Sequence, residues 1–78
     1  MRVTVSAFGD LRRHLLGGQP ERELELPEGA VLADIARALD ADPDELPLAR
    51  YADGAVLREG DSLREGDRVE LFAPIGGG

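Results

Sequence analysis

The residues best suited to chemistry are the last three of this 78-residue chain, Gly76, Gly77 and Gly78. Three consecutive residues without a Cβ atom form a cord thin enough to enter a narrow catalytic channel. The carboxyl group on Gly78 has an ordinary pKa of about 3.3–3.7, so at neutral pH it is an anion and a poor electrophile. Acyl chemistry there requires activation, most simply by ATP to an acyl-adenylate, which a sulfur or amine nucleophile can then attack. A frayed glycine-rich terminus is the alternative interpretation.

The composition removes most competing chemistries. The chain has no Cys and a single His, which excludes disulfides, thiolate metal sites and multi-histidine metal sites. All nine basic residues are Arg, so Schiff-base chemistry on a lysine is also excluded. His14 has no Ser or Cys nucleophile beside it and is predicted to be an exposed helix residue. We therefore expect no metal, no tightly bound cofactor and no complete active site, and any sulfur that the chain delivers would be held on Gly78 as a thiocarboxylate.

The charge balance argues against two classes of partner. Sixteen acidic residues oppose nine basic ones, which gives a net charge of −7 and an isoelectric point near 4.5. Both nucleic acids and anionic membrane surfaces attract cationic proteins, so neither is an expected partner. The alternating start of the chain does not resemble a signal peptide, and no segment approaches the roughly 18 apolar residues of a membrane span. The sequence predicts a cytoplasmic protein.

Apolar periodicity indicates the elements that would position the tail. Period-two alternation predicts strands over residues 2–7, 22–26 and 68–73. A further strand is expected over 48–52, and the Asp53-Gly54 turn leads into a short one over 55–57.

Two helices are expected between these strands. Asp10 can cap a short helix over 11–16, and the main helix is predicted over 31–39. The main helix has no Ser, Thr, Asp or Asn at its start, and Asp34 in its first turn partly compensates through the helix dipole. A fresh helix start at Asp42 is limited to about one turn by Pro47. The element order predicts an α+β domain with one sheet over residues 1–75, followed by a flexible glycine tail at 76–78.

Phe72 is the candidate for a contact surface. It alternates with Leu71 and Ala73, which are predicted to point inward, so its ring should lie on the outer face of the sheet. A large exposed aromatic residue close to an exposed Ile75 is typical of an interaction site. On this interpretation, removing the Phe72 ring would leave folding nearly intact.

Four segments resemble a known family. They are Phe8-Gly9-Asp10-Leu11-Arg12, Leu26-Pro27-Glu28-Gly29-Ala30, Gly66-Asp67-Arg68-Val69 and the Pro74-Ile75-x-Gly-Gly ending. With the element order, they resemble the ubiquitin-like β-grasp sulfur carriers of the MoaD/ThiS family over the whole chain. Within that family the resemblance is greatest to MoaD, the small subunit of molybdopterin synthase. Two departures are Ala73, where the family usually has a second proline, and Val31, where it often has a threonine helix cap.

The resemblance implies a fold and a function. The fold would be a β-grasp, with one mixed sheet packed on a main helix. A MoeB-like adenylyltransferase would use ATP to adenylate Gly78, and a sulfur donor protein would then convert it to a thiocarboxylate. The sulfur would be delivered inside a MoaE-like large subunit during molybdopterin biosynthesis, so the chain would be a sulfur-donating subunit without catalytic activity of its own.

The family pattern also assigns site residues. Gly77 and Gly78 match the reactive tail, while Phe8, Val56 and Phe72 match an apolar surface that docks partners. Phe8 fits ordinary core packing equally well. The remaining partner-binding residues would be in the tail, at Pro74, Ile75 and Gly76.

Two other functions stay open. One is a related carrier with another recipient, in tRNA thiolation, thiazole synthesis or protein modification. The other is a β-grasp interaction module whose glycines are never activated.

Overall fold

The computed structural model describes residues 1–42 and 48–72. The six elements in this part of the chain are the strands and helices β1 (Arg2–Ala7), α1 (Asp10–Leu16), β2 (Glu21–Glu25), α2 (Leu32–Ala38), β3 (Leu48–Tyr51) and β4 (Arg68–Phe72). The predicted helical turn after Asp42, the inward position of Ala73 and the whole tail from Pro74 to Gly78 lie outside the described residues. The side chain of His14 is outside the description as well.

The four strands form one mixed sheet in the order β2-β1-β4-β3. β1 pairs antiparallel with β2 and parallel with β4, and β3 pairs antiparallel with β4. The first and last strands are therefore the two central ones, and the parallel pairing between them requires a crossover that includes α2. The predicted α+β fold with one mixed sheet is confirmed.

The core lies on one face of this sheet. Val3, Val5 and Ala7 of β1 are completely buried, as the period-two pattern predicts. α2 packs its apolar stripe against them, and Ile35 at the centre of that stripe is also completely buried. Burying an aliphatic side chain of this size contributes about 1.5–3 kcal/mol before entropy is considered. Leu57 of the β3–β4 connection lies in the core as well, although it belongs to no strand.

The start of α2 is fixed by Asp34. The backbone N–H of Val31 donates to Asp34 Oδ2 at 2.9 Å, and the N–H of Asp34 donates to the Val31 carbonyl at 2.9 Å. This is half of a capping box, in which the third helical residue reaches back to the cap while the cap side chain contributes nothing. The expected dipole contribution of Asp34 is thus joined by a direct hydrogen bond.

Two local predictions are corrected. Asp10 is the first residue of α1 and the N-cap is Gly9, whose φ of 61° is readily adopted only without a Cβ atom. The predicted strand over 55–57 is a single bridge between Arg50 and Val56. The ladder stops there because Leu57 turns into the core and Asp61 then closes a turn by accepting a hydrogen bond from the Arg58 N–H at 3.0 Å.

Neither helix in the described ranges is long and apolar enough to cross a membrane, since each has seven residues.

Candidate functional site

The candidate site lies on the sheet face turned away from the core, which we call the open face. Strand alternation in β4 buries Val69 and Leu71 and places Glu70 and Phe72 on the open face. Ala7 of β1 is in register with Leu71 of β4, so Phe8, the next residue, comes beside Phe72. The end of β4 is therefore where aromatic side chains meet.

Phe8 and Phe72 form a stacked pair. Their ring centroids are 5.0 Å apart and the ring planes differ by 10°. Phe8 is 40% exposed, whereas Phe72 is half-buried. Phe8 thus contributes the accessible surface of the pair, and Phe72 is the ring that supports it.

Arg50 of β3 covers Phe72 from another direction. Its Cζ atom lies 4.7 Å from the Phe72 ring centroid, a distance at which a guanidinium group and a ring attract one another. Register pairs Arg50 with Glu70, and Arg50 Nε donates to Glu70 Oε1 at 2.6 Å. The guanidinium group is therefore held in place by a ring and a carboxylate at once.

Two exposed aliphatic residues complete the surface. Leu48 is in register with Phe72 and is 58% exposed. Val56 is 64% exposed and bridges to Arg50, so it lies on the same face as Arg50. We call the four residues Phe8, Leu48, Val56 and Phe72 the apolar patch.

Much of the rest of the open face is charged, around Thr4 and Ser6 of β1. β2 presents Glu23 and Glu25 there, and both form ion pairs with Arg2, at 3.6 and 3.1 Å. The hydrogen bond that Arg2 Nε donates to Glu25, together with the charges of Glu25 and Glu23, raises the pKa of the Arg2 guanidinium. These pairs are largely exposed and contribute little to stability. The apolar patch lies apart from these ion pairs, around the end of β4 and the start of β3.

The family of the chain follows from comparison with known protein families. The family model of the ThiS family matches residues 5–78. The chain belongs to the ThiS family. Its members are small ubiquitin-like sulfur carriers that are not catalytic by themselves, and the predicted family is confirmed. No curated protein sequence matches this ThiS-family chain significantly.

Solved structures agree with this assignment at the level of the fold. SAMP1 from Haloferax volcanii is 22% identical with a TM-score of 0.77, and the match covers 100% of both chains. A second H. volcanii structure, small archaeal modifier protein 1, is 20% identical with a TM-score of 0.76, covering 95% of this chain and 98% of that one. A candidate molybdopterin converting factor, subunit 1, from Pyrococcus furiosus is 27% identical with a TM-score of 0.71, covering 96% and 99%. The ThiS-family chain has the β-grasp fold.

The structure brings together three of the residues that the sequence assigned to partner binding. Phe8, Val56 and Phe72 all lie on the open face within the apolar patch. Leu48 and Arg50 belong to the same surface and were not among the predicted site residues. Strand alternation over 48–51 could have indicated them, because Ala49 and Tyr51 point inward and leave Leu48 and Arg50 outside.

The tail residues that the sequence assigned to the site are Pro74, Ile75, Gly76, Gly77 and Gly78, and all five lie outside the described part of this ThiS-family chain. Phe72 is the last described residue before them. The chain therefore passes directly from the apolar patch into the segment that carries the candidate carboxyl group.

A polar depression at the other end of β3 is not a second site. Burial of Tyr51 raises the pKa of its phenol, and the negative charges of Asp67 and Asp61 add to the rise. Asp61 and Asp67 already accept backbone hydrogen bonds within their own turns. Within residues 1–42 and 48–72, no group of three or more His, Asp or Glu side chains could hold a metal ion.

Proposed function

We propose that this chain is a sulfur carrier in molybdopterin biosynthesis. A MoeB-like adenylyltransferase adenylates Gly78 with ATP, a sulfur donor protein converts the acyl-adenylate to a thiocarboxylate, and the sulfur is delivered inside a MoaE-like large subunit. The observation that carries this proposal is the position of the apolar patch, which lies at the end of β4, six residues before Gly78 in the sequence. A partner that covers the patch has the carboxyl terminus within reach.

The chemistry balances without a catalytic group on the carrier. A carboxylate oxygen of Gly78 attacks the α-phosphorus of ATP and pyrophosphate leaves. Sulfur at the oxidation level of sulfide, supplied by the donor protein, then attacks the acyl carbon and AMP leaves. After the sulfur is transferred to the recipient, water supplies the oxygen that restores the carboxylate. Each step uses only the terminal acyl group, which is consistent with the absence of Cys and Lys from the sequence.

The patch has the composition of a docking surface. Aromatic residues are enriched among those that dominate binding energy, and a cluster of apolar side chains near the centre of an interface excludes water from its neighbours. Phe8, Leu48 and Val56 are exposed large hydrophobic residues, and they lie on one face around the Phe72 ring. The likeness to the P. furiosus protein supports molybdopterin biosynthesis as the pathway.

The proposal is tested by mass spectrometry of the full chain. ATP, a MoeB-like enzyme and a sulfur source should replace one terminal oxygen by sulfur, in a carboxyl-terminal peptide that contains Gly78. Deleting Gly78 should abolish the exchange of oxygen for sulfur, because the shortened glycine tail cannot bring its terminal acyl carbon to the α-phosphate of ATP. Gly77→Val should impair it through bulk in the channel, with thermal stability unchanged. Adding a MoaE-like subunit and the sulfur-free pterin precursor should then consume the thiocarboxylate.

The other outcomes separate the alternatives. A thiocarboxylate that forms but is not consumed by the MoaE-like subunit would assign the carrier to another recipient. An amide bond between Gly78 and an amine of a second protein would make it a protein modifier, the role that the name of the H. volcanii neighbours describes for those proteins. An unaltered mass with a partner enzyme that is active on its own substrate would leave only an interaction module.

A further inference from the structure

Arg50 places a cation at the centre of the apolar patch. Its guanidinium group lies over Phe72, its Nε is bonded to Glu70, and its neighbour across the bridge is the exposed Val56. The Arg50 side chain is 48% exposed, so it forms part of the surface that a docked partner covers.

Covering Arg50 has a consequence for the partner. A guanidinium group has five N–H donors in a planar fork, and the bond to Glu70 Oε1 uses the one on Nε. Burying a charged group is unfavourable unless hydrogen bonds replace those to water. Glu70 is 23% exposed and contacts Arg50 from the neighbouring strand β4. It therefore does not pair with the NH₂ groups on the outward side of the guanidinium group.

We propose that Arg50 is a specificity-determining residue that pairs with an Asp or Glu carboxylate on the partner surface covering the apolar patch. The inference rests on the proposed function, since it assumes that a partner docks there. A carboxylate matches the two outward NH₂ groups of the fork in a bidentate pair, which no single neutral acceptor does. A partner with an apolar side chain at that point would leave the two NH₂ groups of Arg50 buried without acceptors and would bind weakly.

The charges around the patch locate this carboxylate. The chain has a net charge of −7, and Glu23 and Glu25 lie on the same open face. Arg2 and Arg68 on this face are already paired with glutamates of β2, so an acidic group of the partner is favoured opposite Arg50 within the apolar patch. The expected partner surface is basic at its rim with one carboxylate among apolar residues.

The supporting contacts explain why this residue is arginine. The guanidinium group lies over the Phe72 ring and its Nε donates to Glu70 at 2.6 Å, so the group is held in place before the partner arrives. Glu70 is thus a positioning residue. A lysine at position 50 would keep the charge and lose both the stack and the bidentate geometry.

The experiment measures the Kd of the full chain for a MoaE-like large subunit by titration calorimetry. Arg50→Gln should weaken binding by roughly 30-fold or more, the effect of removing one partner of a buried, hydrogen-bonded charge pair. Arg50→Lys should be intermediate. Arg68→Gln is the matched control, because Arg68 lies on β4 in an exposed ion pair with Glu21 at 3.5 Å, and it should change Kd less than about twofold.

A double variant tests whether Arg50 strengthens binding by pairing with the partner or only by neutralising the charge of Glu70. Arg50→Gln with Glu70→Gln restores the local charge balance, and it should bind as weakly as Arg50→Gln because the fork is still missing. Recovery of wild-type affinity in the double variant would overturn the proposal. Substituting the Asp and Glu residues of the large subunit one at a time should identify one whose loss weakens binding of the wild type but has no further effect on Arg50→Gln, and finding none would also overturn the proposal.

Two controls keep this result separate from the proposed function. Urea midpoints of all variants should stay close to that of the wild type, because the Arg50–Glu70 pair is partly exposed. Thiocarboxylate formation on Gly78 is measured independently with a saturating MoeB-like enzyme. If the wild type forms the thiocarboxylate while Arg50→Gln binds the large subunit normally, the proposed function stands and the inference about Arg50 fails.

Discussion

At the scale of single residues, Phe72 has two roles. It lies between the Phe8 ring at 5.0 Å and the Arg50 guanidinium group at 4.7 Å, and it is half-buried. A residue that the sequence presents as an exposed anchor is therefore also part of the packing on the open face. Its neighbours are arranged around it, so the geometry of the whole patch depends on this ring.

Phe72→Ala should consequently destabilise the protein as well as weaken partner binding. The stacked pair contributes about 0.5–1.5 kcal/mol and the cation–π contact about 0.5–1 kcal/mol, in addition to the buried area of the ring. We expect the free energy of unfolding in urea to fall by about 1–3 kcal/mol. Glu23→Ala on the exposed side of β2 should be close to neutral. Equal urea midpoints for the two variants would show that Phe72 carries no packing role.

At the scale of elements, the start of α2 depends on one carboxylate. Asp34→Ala removes the acceptor for the Val31 N–H and should lower the free energy of unfolding by about 0.5–2 kcal/mol. Asp34→Asn keeps an acceptor oxygen and should lose less. Arg37→Ala tests the alternative cause, because Arg37 Nη1 lies 3.3 Å from Asp34 Oδ1 in an exposed pair that should contribute little. If Arg37→Ala proves as destabilising as Asp34→Ala, the ion pair and not the cap fixes this helix end.

β3 carries a group whose protonation is linked to folding. Burial raises the pKa of Tyr51 above its ordinary value of 10.0, so the folded state retains the phenol proton where the unfolded state has lost it. The stabilisation is fully present below pH 10.0 and is lost as the pH rises through the higher folded-state pKa. In urea unfolding, the wild type should therefore lose stability relative to Tyr51→Phe as the pH rises above 10.0. A constant difference between the two proteins would contradict this linkage.

Sequence periodicity locates the elements whose burial repeats regularly. Alternation identified β1 and β4, and the helical stripe of Leu32 and Ile35 identified α2, because in each case one face is buried and the other is not. Periodicity does not predict the burial of Leu57 and Leu63. Both are buried, but they lie in a connection without a repeating element, and only the tertiary fold brings them to the core.

The sequence predicts which aromatic residues belong to the candidate site, but it does not predict how their side chains are arranged. Phe72 stands out because alternation places a large aromatic side chain on the outer face of β4. Its contacts with Phe8 and Arg50 depend on the registers of β1 and β3 with β4, which join residues distant in sequence. No local pattern encodes those registers, so the contacts of Arg50 with Phe72 and Glu70 could be recognised only from the sheet.

At the scale of the whole molecule, the charge should control the rate of association. With a net charge of −7, the chain attracts a basic partner over distances that salt shortens. We expect the association rate constant with a MoaE-like subunit, measured by stopped flow, to fall by about tenfold or more from low to high ionic strength. Replacing Glu21, Glu23 and Glu25 of β2 by Gln should reduce this dependence. A rate constant insensitive to salt would mean that docking is not steered electrostatically.

The central position of β4 has a mechanical consequence for the proposed insertion of the tail into a partner. A pulling force on the residues beyond Phe72 acts first on β4, which is hydrogen-bonded to β1 on one side and to β3 on the other. The load is shared by two ladders, and one of them is the parallel pairing with the strand that begins the fold. An edge strand such as β2 would resist the same load with a single ladder. Under the proposed function, two ladders rather than one would therefore keep the domain folded while the tail is withdrawn from a partner.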